Sequence, residues 1–191
     1  ENQIVTDKVW HELAFGLESL GVDSQTIRRR VAEIANFFGI QKWFRQKTTA
    51  LSGGQKQLLN LASVMVMQPK VLLLDEPTSQ LDPIAAMEFI RTLQRLNEEL
   101  GITIIVIEHR LEEVFPLVDR AIVMDAGEIL FDGKPKNIVG GLPVNHPMLA
   151  ALPTATRLYH LFGWEGEAPL TIREGQQFLM QEQMEADEML P

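Results

Sequence analysis

Two adjacent carboxylates, Asp75 and Glu76, follow directly on the apolar run Val71-Leu72-Leu73-Leu74. A short continuous run of this kind suits a strand buried on both faces. In a parallel α/β sheet, ligands bind just beyond the carboxyl ends of the strands. One carboxylate there can hold a hydrated Mg2+ while its neighbour polarises a water. Asp-Glu-Pro by itself also reads as a solvated acidic turn ahead of Pro77. Upstream, Leu51-Ser52-Gly53-Gly54-Gln55 opens a helical stretch. Its two glycines let backbone approach an anion, and the first amides of a helix favour phosphate oxygens. Ser52 adds a hydroxyl donor. Standing alone, Ser-Gly-Gly is equally a plain loop. His109 stands after Glu108, at the end of a second apolar run, Ile102 to Ile107. An imidazole in that place either donates to a terminal phosphate or serves the structure. His11, His146 and His160 lack such a context and read as structural or solvent-facing.

The elements that must position these residues are legible around them. Between the two apolar runs Asp82 caps a helix, and Pro83 suits its first position. Phe89, Leu93, Leu96 and Leu100 make its core stripe, and Gly101 ends it. Strand, helix, strand with buried strands means a right-handed crossover in a parallel sheet. A third run, Ala121 to Met124, leads to a turn at Asp125-Ala126-Gly127-Glu128. A returning strand, Ile129 to Phe131, and a second turn at Asp132-Gly133 follow. Ahead of Gly53 and Gly54 the chain is helical. Residues 6 to 20 carry Trp10, Leu13, Leu17 and Leu20 at helical spacing, with Gly21 as the stop. Ser24 is the expected cap of a second helix with the stripe Ile27, Val31, Ile34 and Phe38. Arg28, Arg29 and Arg30 on that helix form either a solvated face or a contact with an acidic partner. Trp43 and Phe44 suit a short buried helix. Beyond residue 134 the pattern predicts a loop through Gly140, Gly141, Pro143 and Pro147. One short helix at Leu158, Leu161 and Phe162 and a mobile or linking acidic tail complete it.

Composition narrows the classes. The 191 residues are 46% hydrophobic and 23% charged, which excludes a disordered or low-complexity chain. Seventeen basic residues against 26 acidic ones, a formal net charge of −9, argue against a nucleic-acid partner. With no cysteine there is no disulfide, thiolate metal site or cysteine nucleophile. No apolar run reaches the ~20 residues that span a bilayer.

Taken in order, Leu51 to Gln55, then Val71-Leu-Leu-Leu-Asp-Glu-Pro-Thr78, then Ser79-Gln-Leu-Asp82, then the run leading to His109 resemble an ATP-binding cassette (ABC) ATPase. These match that family's signature motif, Walker B strand, D-loop and switch histidine. Two further strings resemble its energy-coupling-factor and cobalt-type importers: Glu1-Asn2-Gln3-Ile4-Val5 leading into Val9 to Gly16, and Ile107 to Val114. Pro169 to Glu174 resembles the connector that follows the first ATPase in fused importers. The resemblance implies an α/β fold, the C-terminal part of a P-loop NTPase. Its RecA-like parallel sheet lies in three layers with an inserted helical subdomain. Residues 1–68 correspond to the helical subdomain, 69–140 to part of the ATPase core, and 141–191 to an appendage. The cofactors implied are ATP and Mg2+. Two ATPase units would stack head to tail. Leu51, Ser52, Gly53, Gly54 and Gln55 would then meet the nucleotide of the partner. Asp75 would hold Mg2+ through water, Glu76 would act as general base, His109 would sense the γ-phosphate, and Asp82 would cross the interface. Transmembrane subunits would complete a transporter at the cytoplasmic face of the membrane.

One family element is absent from these 191 residues: no Gly-x-x-x-x-Gly-Lys-Ser/Thr phosphate loop occurs, and the single Gly-Lys, Gly133-Lys134, is followed by Pro135. The expectation is an ATPase domain cut at its N-terminus, inactive and aggregation-prone as an isolated piece. Two other functions stay open on sequence: a cassette ATPase of DNA repair or translation, and a non-hydrolysing half that completes a partner's site.

Overall fold

Strands β1 (Val71–Asp75) and β2 (Thr103–Ile107) pair in parallel, with Val71 opposite Thr103 and Asp75 opposite Ile107. Helix α4 (Pro83–Leu100) makes the crossover between them. The computed structural model describes residues 4–143, 146–164 and 166–188, so the opening Glu1-Asn2-Gln3 lies outside the described residues. The chain divides into two compact units, Glu1–Ile107 and Glu108–Pro191.

In the first unit, α1 (Val9–Ser19), α2 (Ser24–Phe37) and α3 (Gly53–Met65) pack on one another, and α3 also meets α4. Val9, Leu13 and Leu17 of α1, Val31 and Ala35 of α2, and Leu59, Ala62 and Met65 of α3 are all buried. The predicted α1 stripe shifts: Trp10 and Leu20 are exposed, while Val9 and the carboxylate of Glu12 are buried. Helix α1 also begins later than residue 6. Residues 5 and 6 are instead held by Glu12, whose carboxylate accepts from the Val5 amide at 3.1 Å and the Thr6 amide at 2.7 Å. Asp23, not Ser24, caps α2, accepting from the amides of Gln25 and Thr26. Hydrogen bonds from the Thr26 side chain and amide hold the Asp23 carboxyl below its ordinary value. An ionised carboxylate facing the first amides of a helix is the stronger acceptor. The guanidinium of Arg95 on α4 lies 4.6 Å from the Phe37 ring of α2.

Helix α4 starts and stops as its sequence predicts, capped by Asp82 and ended by Gly101 in the left-handed region at φ +65. Phe89, Leu93 and Leu96 are buried, joined by Ala86 and Ile90, but Leu100 is exposed in the last turn. Strand β1 departs from its expected burial on both faces. Leu72 is buried, whereas Val71 and Leu73 are 55% and 67% exposed, so one face of the β1–β2 pair is uncovered in this chain.

The second unit opens with the short helix α5 (Leu111–Val114) and the hairpin β3 (Ala121–Asp125) and β4 (Glu128–Gly133). These two strands pair with each other, antiparallel. Ala126 and Gly127 both take positive φ in the connecting turn, the backbone that matches strand twist in a two-residue hairpin loop. Strand β4 continues through the expected second turn at Asp132-Gly133. Beyond residue 134 the chain is more ordered than its sequence pattern suggests. Helix α6 (Pro135–Gly141) replaces the expected loop start, and α7 (Thr154–Phe162) and α8 (Ile172–Glu188) follow. Phe115, Ile138, Val139, Leu142, Leu152, Tyr159 and Leu170 share one buried cluster. In α7 the buried positions are Ala155, Thr156 and Tyr159, and Leu161 and Phe162 face outward. Thr156 is fully buried and donates to the Pro169 carbonyl at 2.6 Å, and the Tyr159 hydroxyl donates to the Gly166 carbonyl. The acidic tail expected to be mobile or linking is helical as far as Glu188, and Thr171 and Glu174 cap the start of that helix reciprocally.

Candidate functional site

Ser52 sits at the N-cap of α3 in extended backbone, and the motif around it closes a reciprocal capping box. Ser52 Oγ accepts from the Gln55 amide at 3.3 Å, and Gln55 Oε1 accepts from the Ser52 amide at 2.9 Å. Two consequences follow for ligand chemistry. The Ser52 hydroxyl oxygen is used as an acceptor, which leaves its proton to donate outward. The Gly53 and Gly54 amides are first-turn groups that helix geometry gives no intrahelical partner. Ser52 and Gly53 are exposed, while Leu51 is buried and anchors the motif from below. A Cβ on Gly53 would meet nothing within 4 Å, so an incoming anion has room there. Gly54 differs: a Cβ there would lie 3.2 Å from Ala85 Cβ on α4. The two glycines thus have separate duties, one open to a ligand and one closing a helix–helix contact.

Asp75 is the last residue of β1 and Glu76 the next, both exposed. The Glu76 amide donates to the Ile107 carbonyl at 2.9 Å, extending the β1–β2 ladder one step beyond the strand. Glu76 has φ +43, in the left-handed region. Its carbonyl accepts from the Ser79 amide at 3.2 Å and from Ser79 Oγ at 2.9 Å. Pro77, Thr78 and Leu81 are buried beneath this turn. Asp82 Oδ1 accepts from the Ile84 and Ala85 amides at 3.0 Å, which commits one carboxylate oxygen to capping α4. His109 belongs to the second unit, where its amide donates to the Glu108 carboxylate at 3.3 Å. Among the described residues no group of three or more His, Asp or Glu converges as a metal cage. A lone strand-end carboxylate is nonetheless a donor set that suits a nucleotide-bound Mg2+, which keeps most of its waters.

A groove of about 530 Å³ opens on the helical layer, lined by Trp10, Ala14, Ile27, Arg28, Val31 and Phe44. Of the three arginines, Arg28 borders this groove and Arg29 is exposed. The Nε of Arg30 is buried with no hydrogen-bond partner among the described residues. Sequence reasoning missed two residues, Glu12, which holds the segment entering α1, and Ser79, which closes the turn after β1. Glu12 hides in what reads as the polar face of α1. Ser79 is visible only as a hydroxyl three residues after Glu76, the separation that closes a turn.

A helix N-terminus built for an anion and a parallel strand pair ending in Asp-Glu define a nucleotide-handling α/β protein. Comparison with known proteins narrows this further. The ABC transporter family model matches residues 2–79. A putative ABC transporter ATP-binding protein of Bacillus anthracis is 52% identical over 177 residues, covering 92% of this chain and 32% of that protein. The energy-coupling factor transporter ATP-binding protein EcfA1 of Caldanaerobacter subterraneus is 40% identical over 183 residues, covering 94% of this chain and 66% of that protein. Among solved structures, CbiO1 of Clostridium perfringens, part of the ABC transporter complex CbiONQ, superposes with a TM-score of 0.70 at 35% identity. That match covers 85% of this chain and 64% of CbiO1. The chain belongs to the ABC transporter ATP-binding protein family, and its fold is that of part of the family's P-loop ATPase domain. It spans about a third of the length of the first curated relatives it matches. Among the described residues no helix is long and apolar enough to cross a membrane.

Proposed function

We propose that this chain is part of an ATP-hydrolysing subunit that drives import of a small nutrient, a vitamin or a metal ion, through a membrane transporter. The observation that carries the reading is the strand-end pair Asp75-Glu76, with Glu76 held in left-handed backbone by hydrogen bonds on both sides. The similarity to EcfA1 and CbiO1 favours import over repair or translation. The unit works as one of a pair, a homodimer, heterodimer or fused tandem. The Ser52 hydroxyl and the Gly53 and Gly54 amides donate to the γ-phosphate of the nucleotide carried by the other ATPase unit, with Gln55 at the same edge. Glu76 takes the proton of the attacking water, and the His109 imidazole donates to the γ-phosphate. Asp75 would hold Mg2+ through water, and the ion would supply charge neutralisation on the phosphates. Catalysis is positioning plus electrostatics. Asp82 caps α4 with one oxygen and turns the rest of its carboxylate to the interface. Membrane subunits seat a short helix in the groove between Trp10 and Phe44, placing the unit at the cytoplasmic face of the membrane.

Glu76→Gln in the full-length protein tests the reading. The amide keeps shape and removes the base. ATP turnover should fall at least a hundredfold, by analogy with loss of other general bases, and an ATP-bound dimer should accumulate. Unchanged turnover would remove Glu76 from the mechanism and leave a role confined to completing a partner's site.

A further inference from the structure

We propose that Ser79 is a positioning residue for the Glu76 carboxylate. The inference rests on the reading of Glu76 as the water-activating base and adds what aims it. Glu76 is at φ +43. Side chains rarely enter this region, because Cβ is driven toward the following carbonyl. The residue also precedes Pro77, whose ring pushes its neighbour toward extended backbone. Two local preferences therefore oppose the conformation, and the surroundings must impose it. On one side the Glu76 amide is fixed to the Ile107 carbonyl at 2.9 Å. On the other, the Glu76 carbonyl accepts the Ser79 amide at 3.2 Å and the Ser79 hydroxyl at 2.9 Å. The peptide plane after Glu76 is thus set partly by a side chain. That plane fixes ψ of Glu76, and with φ it fixes where the Cα–Cβ bond points. The proline cannot contribute, having no N–H to donate. Buried Thr78 and Leu81 anchor the turn, with the Leu81 amide donating to the Thr78 carbonyl at 3.0 Å, so the Ser79 hydroxyl is presented from a fixed base. Without the hydroxyl, the carbonyl loses the shorter of its two bonds to Ser79. The carboxylate then samples directions that no longer meet the water.

The test uses the full-length ATPase with Ser79→Ala, Ser79→Thr, Glu76→Gln and the double variant. Misplacing a catalytic group without removing it lowers kcat about tenfold to a hundredfold. Ser79→Ala should show such a fall with KM for ATP within about twofold, because ATP binding does not need the base. Ser79→Thr, which keeps the hydroxyl, should recover most of the loss. In the Glu76→Gln background, adding Ser79→Ala should leave ATP-driven association unchanged. Wild-type kcat in Ser79→Ala would overturn the proposal. So would a raised KM together with weakened association in the double variant, which would make Ser79 an interface contact. Should Ser79→Ala fail to fold, Ser79→Cys, with a similar size and a weaker donor, should show the same kcat-selective loss, and wild-type kcat there would equally overturn it. Full turnover in Glu76→Gln alone would instead strike at the assignment of the base.

Discussion

The Cβ that Gly54 lacks would stand 3.2 Å from the Cβ of Ala85, so the signature helix and the helix after the D-loop touch where glycine leaves space. Gly53, one residue earlier, faces nothing within 4 Å. Adjacent glycines of one motif should therefore respond differently to alanine. Gly54→Ala should lower thermal stability by about 1–3 kcal/mol through overpacking, and Ala85→Gly should restore part of it. Gly53→Ala should leave stability unchanged or raise it by up to about 1 kcal/mol, since alanine is the better helix residue. Its damage should appear in ATP turnover, where the methyl group stands in the path of a phosphate. Thermal unfolding and turnover measured on both variants separate the two effects.

Asp82 should show a similar division between cap and charge. Its Oδ1 accepts two amides of the first turn of α4. Asp82→Ala should cost about 1 kcal/mol of stability, the usual loss for an N-cap. Asp82→Asn keeps the accepting oxygen and should cost a few tenths at most. If asparagine retains stability but loses ATP-driven dimerisation, the charge serves the interface. If both properties persist in asparagine, the cap accounts for the residue.

Much of this organisation is legible in the sequence because local chemistry announces it. The Asp82-Pro83 start and Gly101 stop of α4, the parallel crossover and the Ala126-Gly127 turn all follow from residue preferences. The failures have a common cause. Trp10, Leu20, Leu100, Leu161 and Phe162 carry helical spacing yet face outward, since periodicity marks an apolar side chain without saying what covers it. Val71 and Leu73 fail similarly. A continuous apolar run predicts two covered faces, and one is uncovered here. The short helix expected at Leu158, Leu161 and Phe162 is present as α7, whereas α6 and α8 escaped notice, and part of the packing there rests on small and polar residues that carry no apolar period. Thr156 is buried through its bond to Pro169, and Gly175 lets Ala155 approach within 2.9 Å of its missing Cβ. Spacing offers Ser79 as a turn-closing hydroxyl, but not that the turn holds Glu76 at positive φ.

Glu12 should be among the costliest single carboxylates of the helical layer. It is 5% exposed and accepts from two backbone amides of the segment entering α1. Thr48 binds the same segment, donating to the Thr6 carbonyl at 2.8 Å. Glu12→Ala leaves the Val5 and Thr6 amides without this acceptor and should cost about 1–3 kcal/mol. Glu12→Gln keeps one acceptor oxygen and should cost less. Chemical denaturation of the two variants provides the comparison, and the stability of the unsubstituted protein in both would show that contacts such as that of Thr48 hold the segment without Glu12.

Lys136 ties α6 to the cap of α8, with Nζ 2.9 Å from Glu174 and 3.0 Å from Glu167. Burial opposes ionisation of Glu174, but hydrogen bonds from Lys136 and from the Leu170 and Thr171 amides outweigh it. The carboxyl therefore titrates below its ordinary 4.5. Hydrogen bonds donated to Glu174 and Glu167 raise Lys136 above its ordinary 10.5. The signs follow from linkage. The contribution of Glu174 is fully present above 4.5 and is lost as pH falls through its lowered value. The contribution of Lys136 is complete below 10.5 and is lost as pH rises through its raised value. Stability of this contact should thus be flat between those limits and fall at both ends, with a modest amplitude because both groups are partly solvated. Lys136→Met removes one of the bonds that favours the Glu174 carboxylate and leaves the burial that opposes it. An NMR titration should then place Glu174 higher than in the unsubstituted protein. An unmoved Glu174 would mean that the bonds from Leu170 and Thr171 hold it down without Lys136, and that the charge pair does not join α6 to α8.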